Sequence, residues 1–543
     1  MSTTERAGAG SLARGAAQMT IATAISRATG FIRVVVVAAA LGTTFLANTY
    51  QTANTAPNIL FELVAAGVLT SVFVPTFVEY LVQERREEGW EAANALTSVA
   101  AVGLVGLFLI LALAAPVVMR VLTLGVRDAA LRGQEVAVGA TFLRLFAPQV
   151  IFYGAGMIMT SALQAHRRFA MPAIAPIFNN IIVIAVYLIY AAMRGSAAPT
   201  VAGITTAQKF VLGAGTTAGV IAMTLCLIPG LMRLGWRFRF NFDINHPAVR
   251  RGARLGIWAL SYAGGYQAGL IVVLVLANRI QGGVAAYQWA YTFFYLPYAL
   301  FGFPIFSVLF TAMSEHVALQ DHEGLLDRVE DGMRMLVVVL IPISAAMIII
   351  AEPLTQVTLR YGVMTTHGAT LVAHVLIGFA IGLPTYSAFL TLTRGYYAQQ
   401  DARTPALVNI GAVAIASVSG VLLFFALPKG WAVTGLSLGH SIGFGVGAVV
   451  LGWLFARSAG NFLRRNLRIA LKRSVGVTIV ASIAMVASRV VIPASSRPGA
   501  LANVVVTLAV GGALYAWAML KLGSPELERV RALVGRIRVR SRG

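Results

Sequence analysis

Two stretches decide the fold when they are set side by side: Tyr153–Ala173, YGAGMIMTSALQAHRRFAMPA, and Tyr386–Ala406, YSAFLTLTRGYYAQQDARTPA. At a constant offset of 233 residues they share Tyr153/Tyr386, Ala155/Ala388, Thr160/Thr393, Ala165/Ala398, Pro172/Pro405 and Ala173/Ala406. In each copy an apolar helical run enters a short polar loop, and a proline pre-set for the first turn opens the next run. Two apolar helices share Ala freely, but a Tyr, a Thr and a Pro in one ungapped register argue for a true internal repeat. A weaker echo pairs Tyr50-Gln51-x-Ala53 with Tyr287-Gln288-x-Ala290. The copies run in the same direction, so the repeat is parallel. Paired bundles related in this way can rock about a midplane site and expose it alternately to either side.

Working outward, the rest of the chain has the composition that such bundles need. Of 543 residues, 58% are hydrophobic and 11% charged, and the mean hydropathy is +0.79. Soluble chains carry about 25% charged residues. A soluble enzyme, a disordered chain and a disulfide scaffold are therefore excluded, the last also because Cys226 is the single cysteine. Continuous apolar runs disfavour a β-barrel, whose strands alternate. Fourteen spans are expected, near 17–41, 57–80, 92–115, 138–165, 173–194, 206–232, 250–277, 283–312, 333–352, 370–396, 405–427, 431–456, 470–491 and 501–522. The expected fold is an all-α polytopic membrane protein with two pseudo-symmetric six-helix lobes plus two C-terminal helices. Its parts would be an N-terminal tail 1–16, an N-lobe 17–232, a C-lobe 233–456, a pair 457–522 offering a lipid-tail groove, and a basic tail 523–543.

The net charge of +22 divides by side: 29 of the 42 Lys and Arg fall in the termini and the even-to-odd loops. By the positive-inside rule that side is cytoplasmic, as are both termini. This reading needs no nucleic acid; the basic loops lie beside membrane lipids.

Charge inside the spans is the sharpest functional clue, because an arginine at a helix centre costs about 2.5–3.5 kcal/mol on insertion scales. The first span holds Arg27 and Arg33 in SRATGFIR, 26–33. Six residues separate them by about 9 Å along the axis and about 120° around it, so both could border one wide cavity. Snorkelling is the alternative for Arg27. Glu62 and Arg144 are the other intramembrane charges; they are read either as an ion pair, with each other or with a span 1 arginine, or as substrate contacts. Asn48, Gln51, Asn54 and Asn58 form a polar stripe usable for a substrate or for interhelical hydrogen bonds. Tyr266, Gln267 and Gln288 lie in the tyrosine-rich spans 7 and 8 as neutral donors or packing groups. Enzymatic constellations are missing: there is no phosphate-binding Gly-rich loop, and the seven His show no HExxH spacing. Cationic spans without matching carboxylates imply an anionic, lipid-linked solute, since arginines grip diphosphate through bidentate contacts.

The chain resembles the MurJ/MviN family of lipid II flippases, within the MATE-like exporter superfamily, over residues 12–520. The resemblance rests on SRATGFIR at 26–33, PNILFELVAAGVLTSVFVPTFVEY at 57–80, RFAMPAIAPIFNN at 168–180 and YYAQQDARTP at 396–405, in wording that looks actinobacterial. It implies fourteen spans around a central cationic cavity and alternating access that carries lipid II from the inner to the outer leaflet of the cytoplasmic membrane. The family's span 1 arginines fall on Arg27 and Arg33. Its loop motif falls on Gln400, Asp401 and Arg403, with a structural or gating role. Departures are Val34 and Asn48 where relatives often have Asp, and Phe61/Glu62 and Thr292 where they have arginines; Thr292 is kept as a candidate contact. Span 11 lacks the carboxylate of a sodium site. Arg144 is the candidate for compensating the missing cations. The alternatives left open are a flippase for another polyprenyl-diphosphate glycan, a multidrug antiporter and a membrane scaffold. No cofactor is expected, while a coupling ion or the membrane potential is left open. The expected partners are lipid II or a similar glycolipid, membrane lipids and cell-wall synthesis proteins.

Overall fold

Backbone amides that leave water must close their own hydrogen bonds, and apolar runs of this length do so as helices. The structure is a computed structural model that describes residues 3–64, 86–166, 168–234, 238–493 and 496–528, without the side chains of 3–21, 64, 86–90, 92–93, 247–248, 251–262, 303–308 and 311. The described residues contain helices and turns and no strand. In chain order the helices are α1 (Thr3–Leu41), α2 (Phe45–Val64), α3 (Arg86–Leu122), α4 (Ala129–Phe146), α5 (Gln149–Ala165), α6 (Ala170–Arg194), α7 (Thr206–Leu225), α8 (Ile228–Met232) and α9 (Pro247–Ala277). There follow α10 (Gly283–Pro297), a π-turn (Tyr298–Gly302), α11 (Phe303–Ala318), α12 (His322–Leu359), α13 (Thr366–Ile381), α14 (Leu383–Ala398), α15 (Arg403–Ala426), α16 (Ala432–Ser458), α17 (Arg465–Val491) and α18 (Arg497–Lys521).

Ten helices among the described residues are long and apolar enough to cross a membrane, and eleven if α13 and α14, bent by 46°, count as one span. The protein is an integral membrane protein, and the described residues account for ten or eleven of the fourteen expected spans. Each shortfall has a reason. Residues 65–80 of the second expected span lie outside the described residues, as does the basic tail from 529. In the seventh the apolar stretch Ala263–Ala277 is described, and the side chains of 251–262 lie outside the described residues. The eighth is broken by the π-turn after Pro297. The expected tail 1–16 is not separate either, since α1 is continuous from Thr3.

The chain divides into two compact units: Met1–Ala285 with Tyr361–Met364, and Ala286–Arg360 with Thr365–Gly543. The boundary therefore falls within α10 and not at 232/233. Buried amides hold α9 in the first unit. Asn278, fully buried, donates to the Leu122 carbonyl at 3.1 Å and to Thr52 Oγ1 at 3.0 Å. At the other end of this unit, Leu96, Ile158, Leu163, Leu227 and Leu231 close a core between α3, α5 and α8.

In the second unit α15 and α16 approach closely along a stripe of glycines. A Cβ at Gly439 would fall 2.5 Å from the Ala416 carbonyl oxygen, and one at Gly443 2.3 Å from that of Ala412. Small residues let helix backbones meet in this way. The α17–α18 pair packs on α12, where Tyr515 donates to the Val338 carbonyl at 2.7 Å and Ser474 to that of Val337 at 3.0 Å. Ion pairs flank this contact at both ends: Arg464 with Glu323 and Asp327, Arg334 with Glu526, and Arg489 with Glu352 at 3.0 Å.

Candidate functional site

The segment SRATGFIR docks α1 onto α6. Asn180 donates to Thr29 Oγ1 at 3.0 Å and to the Ser26 carbonyl at 3.3 Å. Gly30 lies on the same side, where a Cβ would stand 3.5 Å from the Asn180 amide nitrogen, an ordinary contact. At about 100° per residue, Ser26, Thr29, Gly30 and Arg33 share one face of α1. Arg33, half-buried, therefore turns into the unit, within Coulombic reach of Tyr50, Tyr153 and Tyr187. Tyr50 is wedged edge-on against Tyr187 at 5.7 Å and Phe146 at 5.3 Å, and its hydroxyl meets Thr216 Oγ1 at 2.6 Å. Arg33 makes no hydrogen bond or ion pair among the described residues. Arg27 lies about 120° further round the helix and is exposed. The two arginines thus differ in burial, Arg33 half-buried and Arg27 exposed.

On α2, Gln51, Asn54, Asn58 and Glu62 follow helical spacing and form one face that is less buried than its flanks. Asn54 keeps its Oδ1 buried without a partner. Glu62 accepts a hydrogen bond from the buried Gln267 of α9 at 2.5 Å, beside the half-buried Tyr266. The ion pair expected of Glu62 is not formed among the described residues. Arg144 explains why. The buried residues of α4 (Glu135, Val138, Gly139, Phe142, Phe146) face α2, whereas Arg144 is exposed on another side and donates through Nε to the Ala112 carbonyl of α3 at 3.4 Å. Arg144 is not brought to Arg33 or Glu62.

Asn48 also differs from its reading as a substrate contact. It is fully buried. Its amide donates to the Ile280 carbonyl at 2.9 Å, and its Oδ1 accepts from the backbone N–H groups of Val284 at 3.1 Å and Ala285 at 3.5 Å. It braces the loop between α9 and α10.

In the second unit Gln288 and Thr292 are half-buried, one turn apart on α10, and Thr292 donates to the Gln288 carbonyl at 3.1 Å. Gln400 and Asp401 make a helix junction. Gln400 ends α14 in the left-handed region, at φ 61°, with its N–H on the Tyr397 carbonyl and that of Asp401 on the Tyr396 carbonyl. This is the Schellman pattern, with Gln in the place usual for Gly. Asp401 then accepts from the N–H groups of Arg403 at 2.9 Å and Thr404 at 3.0 Å, capping α15. Partial burial raises the Asp401 carboxyl, but hydrogen bonds from Thr404 and Arg403 and the Arg403 charge outweigh it and hold the group below the usual carboxylate value. Arg403 itself is exposed. The first copy of the repeat ends its helix with the same long bond, Arg168 N–H to the Leu163 carbonyl, at the same offset of 233.

Two buried ionisable residues escaped the sequence reading. Glu135 lies between the third and fourth expected spans and falls in α4. It is fully buried, beside a Thr49 hydroxyl that donates to the Phe45 carbonyl instead, and neither carboxylate oxygen has a hydrogen-bond partner. His440 of α16 sits among Tyr291, Phe294, Phe379, Tyr386 and Phe444, with ring centroids 4.6–6.3 Å away and neither ring nitrogen partnered. No local pattern marks either residue, because their neighbours come from distant helices. Among the described residues no group of three His, Cys, Asp or Glu could hold a metal ion.

Comparison with known proteins gives one answer. The family described as Lipid II flippase MurJ matches residues 37–507. The lipid II flippase MurJ of Burkholderia cenocepacia is 27% identical over 405 residues, 73% of this chain and 75% of that protein. The probable lipid II flippase MurJ of Rhizobium tropici is 26% identical over 435 residues, covering 79% and 78%. A solved lipid II flippase MurJ, in an inward closed conformation, superposes with a TM-score of 0.73 at 18% identity, over 93% of this chain and 99% of that one. An inward-facing MATE family multidrug resistance transporter of the MOP superfamily superposes with a TM-score of 0.62 at 12% identity, over 81% and 95%. At these identities the two structures speak for the fold alone.

Proposed function

This chain belongs to the lipid II flippase MurJ family, and on that premise we propose that it carries lipid II from the cytoplasmic to the outer leaflet of the inner membrane by alternating access. The observation that carries the reading is the family match over residues 37–507. Arg33 supports it chemically: a guanidinium with no carboxylate bound to it among the described residues keeps its donors available for a diphosphate. In this proposal Arg33 holds the diphosphate and the exposed Arg27 meets it on entry. Gln51, Asn54, Glu62 and Tyr266 offer neutral and anionic partners to the sugar and peptide, and Gln288 and Thr292 are further candidate contacts. Gln400, Asp401 and Arg403 shape a loop. Both termini lie in the cytoplasm, a coupling ion or the membrane potential supplies the drive, and cell-wall synthesis proteins receive the product.

The test is Arg27→Ala with Arg33→Ala in cells depleted of their own flippase, with expression verified. Lipid-linked precursor should stay inaccessible to a probe added outside, while the wild-type chain exposes it. Growth and outer-face exposure equal to wild type in the double variant would refute the mechanism.

A further inference from the structure

The segment after α8 runs Phe238-Arg239-Phe240-Asn241-Phe242-Asp243-Ile244, is neither helix nor strand, and turns from Asn241 onward, where the Asp243 N–H meets the Asn241 carbonyl at 3.2 Å. It is tied to α3 by its backbone: the Arg239 N–H donates to Asn94 Oδ1 at 3.3 Å and the Asn241 N–H to Ser98 Oγ at 2.9 Å. Asn94 and Ser98 are one helical turn apart and both buried, so the strap lies along the end of α3 that the basic residues mark as cytoplasmic. Phe238, Phe240, Phe242 and Ile244 alternate along it with polar residues. All four are exposed, Phe240 to 66%. Four large apolar side chains in a row are not left facing water without a use. Phe238 also stands at the rim of a cavity of about 330 Å³ walled by Thr97, Ala155, Ile158, Met159 and Leu231. That volume is at the small end of ligand pockets, and its lining is almost wholly apolar. Around it Arg233, Arg239 and Arg250 are exposed, against a single half-buried Asp243.

We propose that this strap and cavity bind an anionic phospholipid of the cytoplasmic leaflet. One acyl chain enters the cavity. The exposed Phe side chains lie at the headgroup–acyl boundary, where aromatic side chains are favoured. Arg233, Arg239 and Arg250 hold the phosphate, and their charge selects an anionic over a zwitterionic headgroup. The site is separate from Arg27 and Arg33 and does not depend on what the protein transports.

Native mass spectrometry of the purified full chain tests this, with phosphatidylglycerol and phosphatidylcholine of identical acyl chains added in turn. Wild type should retain one phosphatidylglycerol about tenfold better than phosphatidylcholine, a difference of about 1.4 kcal/mol. Met159→Trp, which fills the cavity, should lose that adduct. Arg239→Gln with Arg250→Gln alters exposed side chains only and should erase the preference while leaving the melting temperature unchanged. Equal retention of the two lipids by wild type would overturn the proposal. Undiminished phosphatidylglycerol retention in the charge variant would overturn it too, even if Met159→Trp failed to fold.

Discussion

Asn48→Ala separates a structural amide from a substrate contact. The side chain is 0% exposed and serves three backbone groups at the α9–α10 junction: it donates to Ile280 of the loop at 2.9 Å and accepts from Val284 at 3.1 Å and Ala285 at 3.5 Å in the first turn of α10. Val284 and Ala285 are themselves 1% and 0% exposed, so water cannot take over. A buried group left without a partner costs about 1–3 kcal/mol. Two of the contacts are short and the third is long, so the total comes to about 2–5 kcal/mol, in the range of the larger single-site losses. Thermal unfolding in detergent should show a clear fall in melting temperature. Gln51→Ala, at a half-buried position three residues on, should melt with the wild type and serves as the control. In the fraction that remains folded at low temperature, Asn48→Ala should still expose lipid-linked precursor at the outer face. A variant that melts with the wild type yet loses transport would refute this account and return Asn48 to the substrate.

Further outcomes follow from the second unit. His440→Phe should raise the melting temperature, because a neutral imidazole always carries an N–H and this one has no acceptor; relieving it is worth about 1 kcal/mol. No gain would mean that the ring nitrogens are used in another conformation. Gln400→Gly removes a left-handed residue that costs about 1–2 kcal/mol and returns about 0.4–1 kcal/mol as chain freedom, so a small net stabilisation should appear in chemical denaturation; destabilisation would assign the Gln side chain a role of its own. The folded Asp401 carboxyl lies below its unfolded value of about 3.9. Its stabilisation is therefore present above about pH 5 and lost as the pH falls through the folded value. Asp401→Asn keeps an N-cap of similar strength, so the two curves of melting temperature against pH should converge below about pH 4; parallel curves would show that the carboxylate charge contributes nothing.

Class and repeat register were legible without coordinates, because each is written in the local sequence. Apolar run length sets what can span, and the offset of 233 recurs in the helix-ending bonds of Arg168 and Asp401. Spacing also gave the angle of about 120° between Arg27 and Arg33. What it could not supply is the rotation of each helix about its own axis. A helical period relates residues within one helix, while neighbours contributed from far along the chain decide which face turns inward. Asn180 turns Arg33 toward three tyrosines, Gln267 reaches Glu62 across 205 residues, and packing on α2 leaves Arg144 on another face of α4. The same cause put Asn48 into a loop brace, drew α9 into the first unit, and enclosed His440 in rings from four helices. The sequence alone determined which charges lie within the spans, and only tertiary packing decided which of them meet.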